Sequence, residues 1–227
     1  MSSRSLAGPK GLIIAIDGVI GAGKSTAAAG VAEALSYRHL DTGSMYRAVA
    51  LAATRAAIAP TDTEPLRQLL RQLEIEVEPG GRVALGGEDV SSEIRDIETS
   101  RVVGSYADVS EVREALVRRQ RRLGLEGGVV AEGRDMATVV FPAADLKIRM
   151  VANLAQRARR RLEEFLAKGV DITLDQVRRD IRVRDLADEV RDYGGSAAGV
   201  VEEVDTSGLS PQQVIDRLVD LARQCGA

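Results

Sequence analysis

The stretch Leu12–Leu35, LIIAIDGVIGAGKSTAAAGVAEAL, limits what this chain can become more than any other. Five mostly β-branched apolar residues, Leu12–Ile16, read as a buried strand, and Ser25–Leu35 reads as an Ala-rich helix. Between them lies Gly18-x-x-x-x-Gly23-Lys24-Ser25, a phosphate-binding loop pattern in the strand–loop–helix setting that gives it meaning. Its glycines let consecutive backbone N–H groups turn inward around phosphate oxygens. The helix that follows adds its positive N-terminal end. Lys24 reaches toward the β- and γ-phosphates, and the Ser25 hydroxyl suits Mg²⁺. A tight βα turn would also use glycines, but the strand before the loop and the helix after it favour a bound nucleoside triphosphate.

With 227 residues, 44% apolar, 29% charged and 3% aromatic, the chain has an ordinary soluble, globular composition. So few aromatics argue against a base-stacking platform for single-stranded nucleic acid. The cations are almost all arginine, with lysine only at positions 10, 24, 147 and 168. Arginine grips phosphate bidentately, which suits a phosphate-handling enzyme, although a genome's base composition produces the same bias. The lone Cys225 excludes an internal disulfide and a cysteine metal cluster, and reads as a surface thiol. The single His39, in a short apolar run, reads as structural. No apolar segment is long enough for a membrane span, and the short polar N-terminus does not resemble a secretory signal. The expected compartment is the cytoplasm, with no membrane or nucleic-acid partner and a monomeric state.

Strand and helix patterns alternate along most of the chain, which predicts an α/β fold with a parallel sheet flanked by helices. A short strand at Tyr37–Leu40 leads into DTGSMYRAVA and a helix to Ala57. Another helix lies between Pro60 and Leu73. The period then changes to alternation over Glu74–Glu78, Arg82–Leu85 and Asp89–Val90, broken by glycine turns. This predicts a small antiparallel flap inserted at about residues 60–95. Helical pattern runs with breaks from Glu93 to Leu125. Val129–Ala131 starts a buried strand that delivers Glu132-Gly133-Arg134-Asp135 at its C-terminal end, the edge where parallel sheets bind ligands. Asp145–Ala152 is a further strand. Two charged helices, Gln156–Ala167 and Leu174–Val190, then flank Gly169. Arg157, Arg160 and Arg161 share one face of the first, and Arg184, Asp188 and Arg191 one face of the second if it extends that far. The pair reads as a lid over phosphates, at about residues 155–192, or as a solvated pair with ordinary salt bridges. A last strand, Val200–Val204, precedes a helix at Pro211–Gln224 with proline in its first turn.

Several separated stretches resemble the bacterial cytidylate (CMP/dCMP) kinases of the nucleoside monophosphate kinase group. They are IAIDG-x-x-GAGKST, LDTGSMYRAVA, GEDVSSEIR, VREALVRRQR, VAEGRDMATVVFP-x-ADLKI, RARRR, RD-x-x-D-x-x-R and VDTSGLS, in family order over nearly the whole chain. The resemblance implies one phosphate-loop kinase domain over residues 1–227, with an inserted monophosphate-binding flap and a helical lid. The implied reaction is Mg²⁺-dependent transfer from ATP to CMP or dCMP. Carried over by position, Gly18, Val19, Ile20, Gly21, Ala22, Gly23, Lys24, Ser25 and Thr26 hold ATP, with Lys24 on the transferring phosphate and Ser25 on Mg²⁺. Arg47, Arg134 and Arg191 match the arginines that grip the CMP phosphate. Thr42, Arg113 and Asp135 match positions that read cytosine, Arg184 and Asp188 those that hold the sugar. Tyr46 walls the acceptor site, and Arg157 and Arg160 match lid arginines that close on the triphosphate.

Phosphoryl transfer between two anions needs positioning and charge neutralisation more than proton chemistry, and a set dominated by arginine answers that need. Cytosine offers an N4 amino donor, so a carboxylate at Asp135 suits it, whereas uracil would leave that carboxylate unpaired. The chain departs from the family pattern at four places. Val19-Ile20 stands where Pro-Ser is usual, Gly104 where a sugar-binding serine is usual (Ser105 lies one step on), Asp192–Ser196 replaces a Pro-Leu segment, and Arg149 replaces an apolar strand residue. Three alternatives follow: a kinase for UMP or a non-nucleotide alcohol, a nucleotide-binding regulator with weak turnover, and an RNA-binding protein using Arg118–Arg122. The net charge of −3 and the scarcity of aromatics weigh against the last.

Overall fold

A computed structural model describes residues 11–78, 80–190, 199 and 201–227. Strand β1 (Ile13–Gly18) leads through the glycine loop into α1 (Lys24–Leu35), and β2 (Arg38–Asp41) into α2 (Thr42–Arg55). Helix α3 (Thr63–Gln72) precedes three short strands, β3 (Ile75–Val77), β4 (Val83–Leu85) and β5 (Glu88–Asp89). After a 3₁₀ turn at Glu93–Arg95 come α4 (Ile97–Ala107), α5 (Ser110–Leu123) and β6 (Val129–Gly133). A π-helical turn at Met136–Val140 separates β6 from β7 (Leu146–Val151). Helices α6 (Leu154–Ala167) and α7 (Leu174–Val190), strand β8 (Glu202–Asp205) and helix α8 (Pro211–Gln224) complete the order.

The main sheet has the strand order β2-β6-β1-β7-β8, and β1 pairs in parallel with both β6 and β7. Ile14 faces Val130 and Leu146 in register, and Ile16 faces Glu132 and Ile148. A parallel strand covered on both faces needs an uninterrupted apolar run, and Ile14, Ala15 and Ile16 are fully buried. Lys147 and Arg149 interrupt that run in β7. The backbone pairs regardless, with Lys147 buried and Arg149 exposed. β8 closes the sheet, beginning two residues later than the sequence pattern suggests. As the edge strand it leaves Glu202 and Glu203 to solvent, so their charge does not conflict with pairing.

The chain divides into two compact units, the described residues up to Tyr37 with those from Gly127 onward, and Arg38–Glu126. In the first, Ala27, Ala28, Val31 and Ala32 of α1 pack with Ile148, Met150, Val214 and Leu218. Alanines let α1 approach closely, and a Cβ at Gly30 would stand 2.3 Å from Ile215 Cδ1 on α8. Helices α6 and α7 form a second small core from Ala158, Val177 and Ile181. The second unit packs α2 with α3, α4 and α5 and holds the antiparallel sheet β3-β4-β5. That sheet lies within the stretch whose alternating pattern predicts a flap, and Val83, Val90 and Ile94 pack there with Ala48 and Leu51 of α2.

Candidate nucleotide-binding site

The glycine loop begins where β1 ends. A Cβ on Gly18 would stand 2.2 Å from the Met150 carbonyl oxygen, so only glycine fits against β7 there. Gly23 is the N-cap of α1 with φ of 89°, which sends the chain from loop to helix through a conformation that a side chain would oppose. The first N–H groups of α1 thereby open at the loop, and no acidic residue sits in that first turn. Lys24 Nζ donates to the Val19 carbonyl at 3.0 Å and so lies over the loop. Ser25 Oγ donates to Glu132 Oε2 at 2.9 Å. Glu132 is only 4% exposed at the end of β6, and a hydroxyl beside a buried carboxylate is a donor set that suits a small divalent cation.

The loop is also held from outside by α6. Arg157 makes a bidentate pair with Asp185 of α7 at 2.8 and 2.9 Å, and its Nη1 reaches the Ile20 carbonyl at 3.4 Å. Arg160 donates to the Ala22 carbonyl (3.2 Å), to Thr206 Oγ1 (3.0 Å) and to the Thr206 carbonyl (2.7 Å). The Thr206 hydroxyl, fully buried, donates in turn toward the Ala22 carbonyl at 3.0 Å. Loop carbonyls engaged on this side leave the loop N–H groups to turn the other way. Arg157 and Arg160 therefore both meet the loop, but through its carbonyls. Arg161, on the same helix face, pairs with Glu164 and stacks 4.8 Å from the Phe165 ring. Ile20 has a second role, because its side chain joins the α6–α7 core around Val177 and Ile181, while Val19 packs on the main core. The departure at Val19-Ile20 thus gives the loop apolar anchors where a serine would give it a hydroxyl.

Beyond β6, Arg134 pairs with Asp188 of α7, and Asp135 is 4% exposed. Arg184 is half-buried, and among the described residues no hydrogen bond or ion pair holds it. Burial, and then the like charges of Arg161 and Arg134, push its pKa down from the usual arginine range. Asp180 acts in the opposite direction, and the two neighbouring guanidiniums are themselves paired, Arg134 with Asp188 and Arg161 with Glu164. Arg191 lies outside the described residues. Asp17, at the end of β1, uses both carboxylate oxygens: one accepts the Met136 N–H and the other the Ala137 N–H, each at 2.8 Å. Its burial raises its pKa despite these bonds.

In the second unit, Thr42 is buried in the first turn of α2, behind an N-cap in which Asp41 accepts from Ser44 N–H. Arg47 Nη1 donates to Ser100 Oγ at 2.7 Å and reaches the Ile94 carbonyl. Tyr46 and Arg113 are half-buried. Ser105 is exposed, and its hydroxyl bonds back to the Val102 carbonyl of its own helix. Sequence reasoning passed over Asp17, Asp185 and Thr206, and gave Glu132 no role. The signal for three of them was position, since Asp17 precedes Gly18, Glu132 ends a buried strand, and Thr206 sits in the VDTSGLS stretch.

Comparison with known proteins gives a single answer. The family described as Cytidylate kinase matches residues 14–224. A Cytidylate kinase of Geobacter sulfurreducens is 43% identical, over 97% of this chain and 96% of that protein. One from Bacillus subtilis is 42% identical, over 95% and 98% respectively. An uncharacterized protein from Eubacterium ventriosum has a similar fold, with a TM-score of 0.54 at 12% identity over 95% of this chain and 99% of its own.

Proposed function

The chain belongs to the cytidylate kinase family, and we propose that it transfers the γ-phosphoryl group of ATP to CMP and dCMP, giving CDP and dCDP. The observation that carries this reading is the phosphate loop with Lys24 over it and Ser25 against the buried Glu132, in the same unit as Arg134 and Arg184. In the reaction, an oxygen of the acceptor's phosphate attacks the γ-phosphorus, and the bond to the β–γ bridging oxygen breaks. No protein base is required, because the attacking oxygen is already anionic at neutral pH. The loop N–H groups and Lys24 hold the triphosphate, and α6 keeps the loop in shape through Arg157 and Arg160. Ser25 and Glu132 fit Mg²⁺, which when bound supplies charge neutralisation at the phosphates.

On the acceptor side, Arg134 grips the CMP phosphate and Asp135 takes a hydrogen bond from the cytosine N4 amino group. The buried position of Asp135 supports base selection, because uracil would leave a desolvated carboxylate facing O4. Arg184 and Asp188 hold the sugar. The resemblance adds Arg47 and Arg191 as phosphate ligands, Thr42 and Arg113 as base contacts, and Tyr46 and Ser105 nearby. The decisive variant is Arg134→Ala. Turnover with CMP should fall by about a hundredfold or more, the scale for losing one charge-stabilising donor, while ATP affinity stays within about twofold. Equal loss of ATP affinity would move Arg134 to the donor site.

A further inference from the structure

The stretch RD-x-x-D supplies Arg184 and Asp188 to the proposed acceptor side, but the aspartate between them, Asp185, has its contacts elsewhere. Val177, Ile181 and Asp185 follow one another at four-residue steps on α7 and so share a face. Val177 and Ile181 pack with Ala158 of α6 and with Ile20 of the phosphate loop. Asp185 continues that stripe with a charge. Its two carboxylate oxygens accept from Nη1 and Nη2 of Arg157 at 2.9 and 2.8 Å, and among the described residues it meets no other partner. Arg184 and Asp188 stand on the adjoining face, where Asp188 pairs with Arg134.

Arg157 is buried in the first turn of α6, and Asp185 is the carboxylate that neutralises it. Its Nη1 also reaches the Ile20 carbonyl at 3.4 Å, and a Cβ added to Gly21 would stand 3.1 Å from its own Cβ. A buried guanidinium keeps its place only while its charge is paired. We infer that Asp185 is a positioning residue for the phosphoryl donor, which holds Arg157 against the Ile20 carbonyl and thereby fixes the loop from Val19 to Ala22. This rests on the reading of that loop as the ATP site. One helix then serves both substrates from two faces, with Asp185 on the donor side and Arg184 and Asp188 on the acceptor side.

The test is Asp185→Asn, which removes the charge and keeps the shape. Arg157→Met and the double variant complete a cycle, and neither of these leaves a guanidinium buried without its carboxylate. Circular dichroism establishes that each is folded, and calorimetry gives the Kd of Mg-ATP and of CMP without turnover. In Asp185→Asn the Kd of ATP should rise about tenfold, the scale of a weakened charged hydrogen bond, while that of CMP stays within about twofold. Amide exchange at Ala22, whose N–H bonds to the Val19 carbonyl at 3.3 Å, should accelerate by a similar factor. With Arg157→Met already present, adding Asp185→Asn should change ATP affinity by less than about twofold. Unchanged ATP affinity in Asp185→Asn overturns the role given to Asp185. Equal loss of ATP and CMP affinity overturns it too, because Asp185 would then support α7 as a whole. A further loss in the double variant beyond Arg157→Met would show that Asp185 does not act through Arg157. Lys24→Ala is run alongside: if it leaves ATP affinity at the parent value, the donor reading itself falls, and the inference falls with it.

Discussion

Replacing Thr206 by valine isolates the support that α6 and the β8–α8 connection give to the phosphate loop. The side chain is fully buried, and valine fills nearly the same volume without the hydroxyl. The bonds of the hydroxyl disappear: its own proton, shared between the Ala22 carbonyl at 3.0 Å and the Val151 carbonyl at 3.2 Å, and the bond accepted from Arg160 Nη1 at 3.0 Å. A neutral bond contributes about 1 kcal/mol and one from a charged donor about 1.5–3 kcal/mol. The partners are not left bare, because Arg160 still reaches Ala22 at 3.2 Å and the Val151 carbonyl keeps the Thr206 N–H. A loss of about 2–3 kcal/mol follows, which for a chain of this length lowers Tm by roughly 5–10 °C. Part of that energy has to be regained whenever ATP orders the loop, so ATP affinity should fall about tenfold, or ~1.4 kcal/mol. Thermal unfolding with and without Mg-ATP, together with ATP titration by calorimetry, measures both effects. Thr206→Ser keeps the hydroxyl and should bind ATP as the parent does. If Thr206→Val unfolds earlier but binds ATP with unchanged affinity, the hydroxyl supports the fold and not the loop, and the reasoning fails.

Two further outcomes follow from the loop and its neighbours. Ile20→Ser restores the hydroxyl usual in the family and removes an apolar contact from the α6–α7 core. Amide exchange in α6 and α7 should accelerate by about tenfold, for a local loss of ~1–2 kcal/mol, while α1 is little changed; unchanged protection of both helices would mean that Ile20 anchors nothing. Asp17 has its pKa raised by burial, so its protonation favours the folded state, and the stabilising contribution present at low pH disappears as pH rises through the folded-state value. The stability of the parent relative to Asp17→Asn should therefore improve as pH is lowered from 7 toward 4, in denaturant titrations. A change of opposite sign would refute the burial argument.

The parts of this molecule legible from sequence are those whose conformation is decided locally. The strand, loop and helix from Ile13 to Leu35 follow from β-branched residues, glycines and alanines. Helix α8 begins where its proline and its Ser210–Gln213 capping box place it. The three strands β3, β4 and β5 follow from alternation and glycine turns. The π-helical turn at Met136–Val140 was not legible, because MATVV has no helical signature and its cap is an aspartate from another strand. The contacts of Arg157 and Arg160 were hidden for a related reason. Their shared helix face is visible in their spacing, but the acceptors they meet are loop carbonyls and Asp185, which no spacing reveals. Lys147 looked wrong for an inner strand, yet a long side chain can be buried where its backbone still pairs.

The central claim is that Arg134, Arg184 and the buried Asp135 serve a cytidine monophosphate as phosphoryl acceptor. The direct measurement is a coupled assay of ADP formation with Mg-ATP and, in turn, CMP, dCMP, UMP, AMP and shikimate. The account predicts the highest kcat/KM with CMP or dCMP, and at least about tenfold less with UMP, the scale for leaving one buried carboxylate without its donor. Faster turnover of UMP or shikimate, or no turnover with any acceptor, would contradict it.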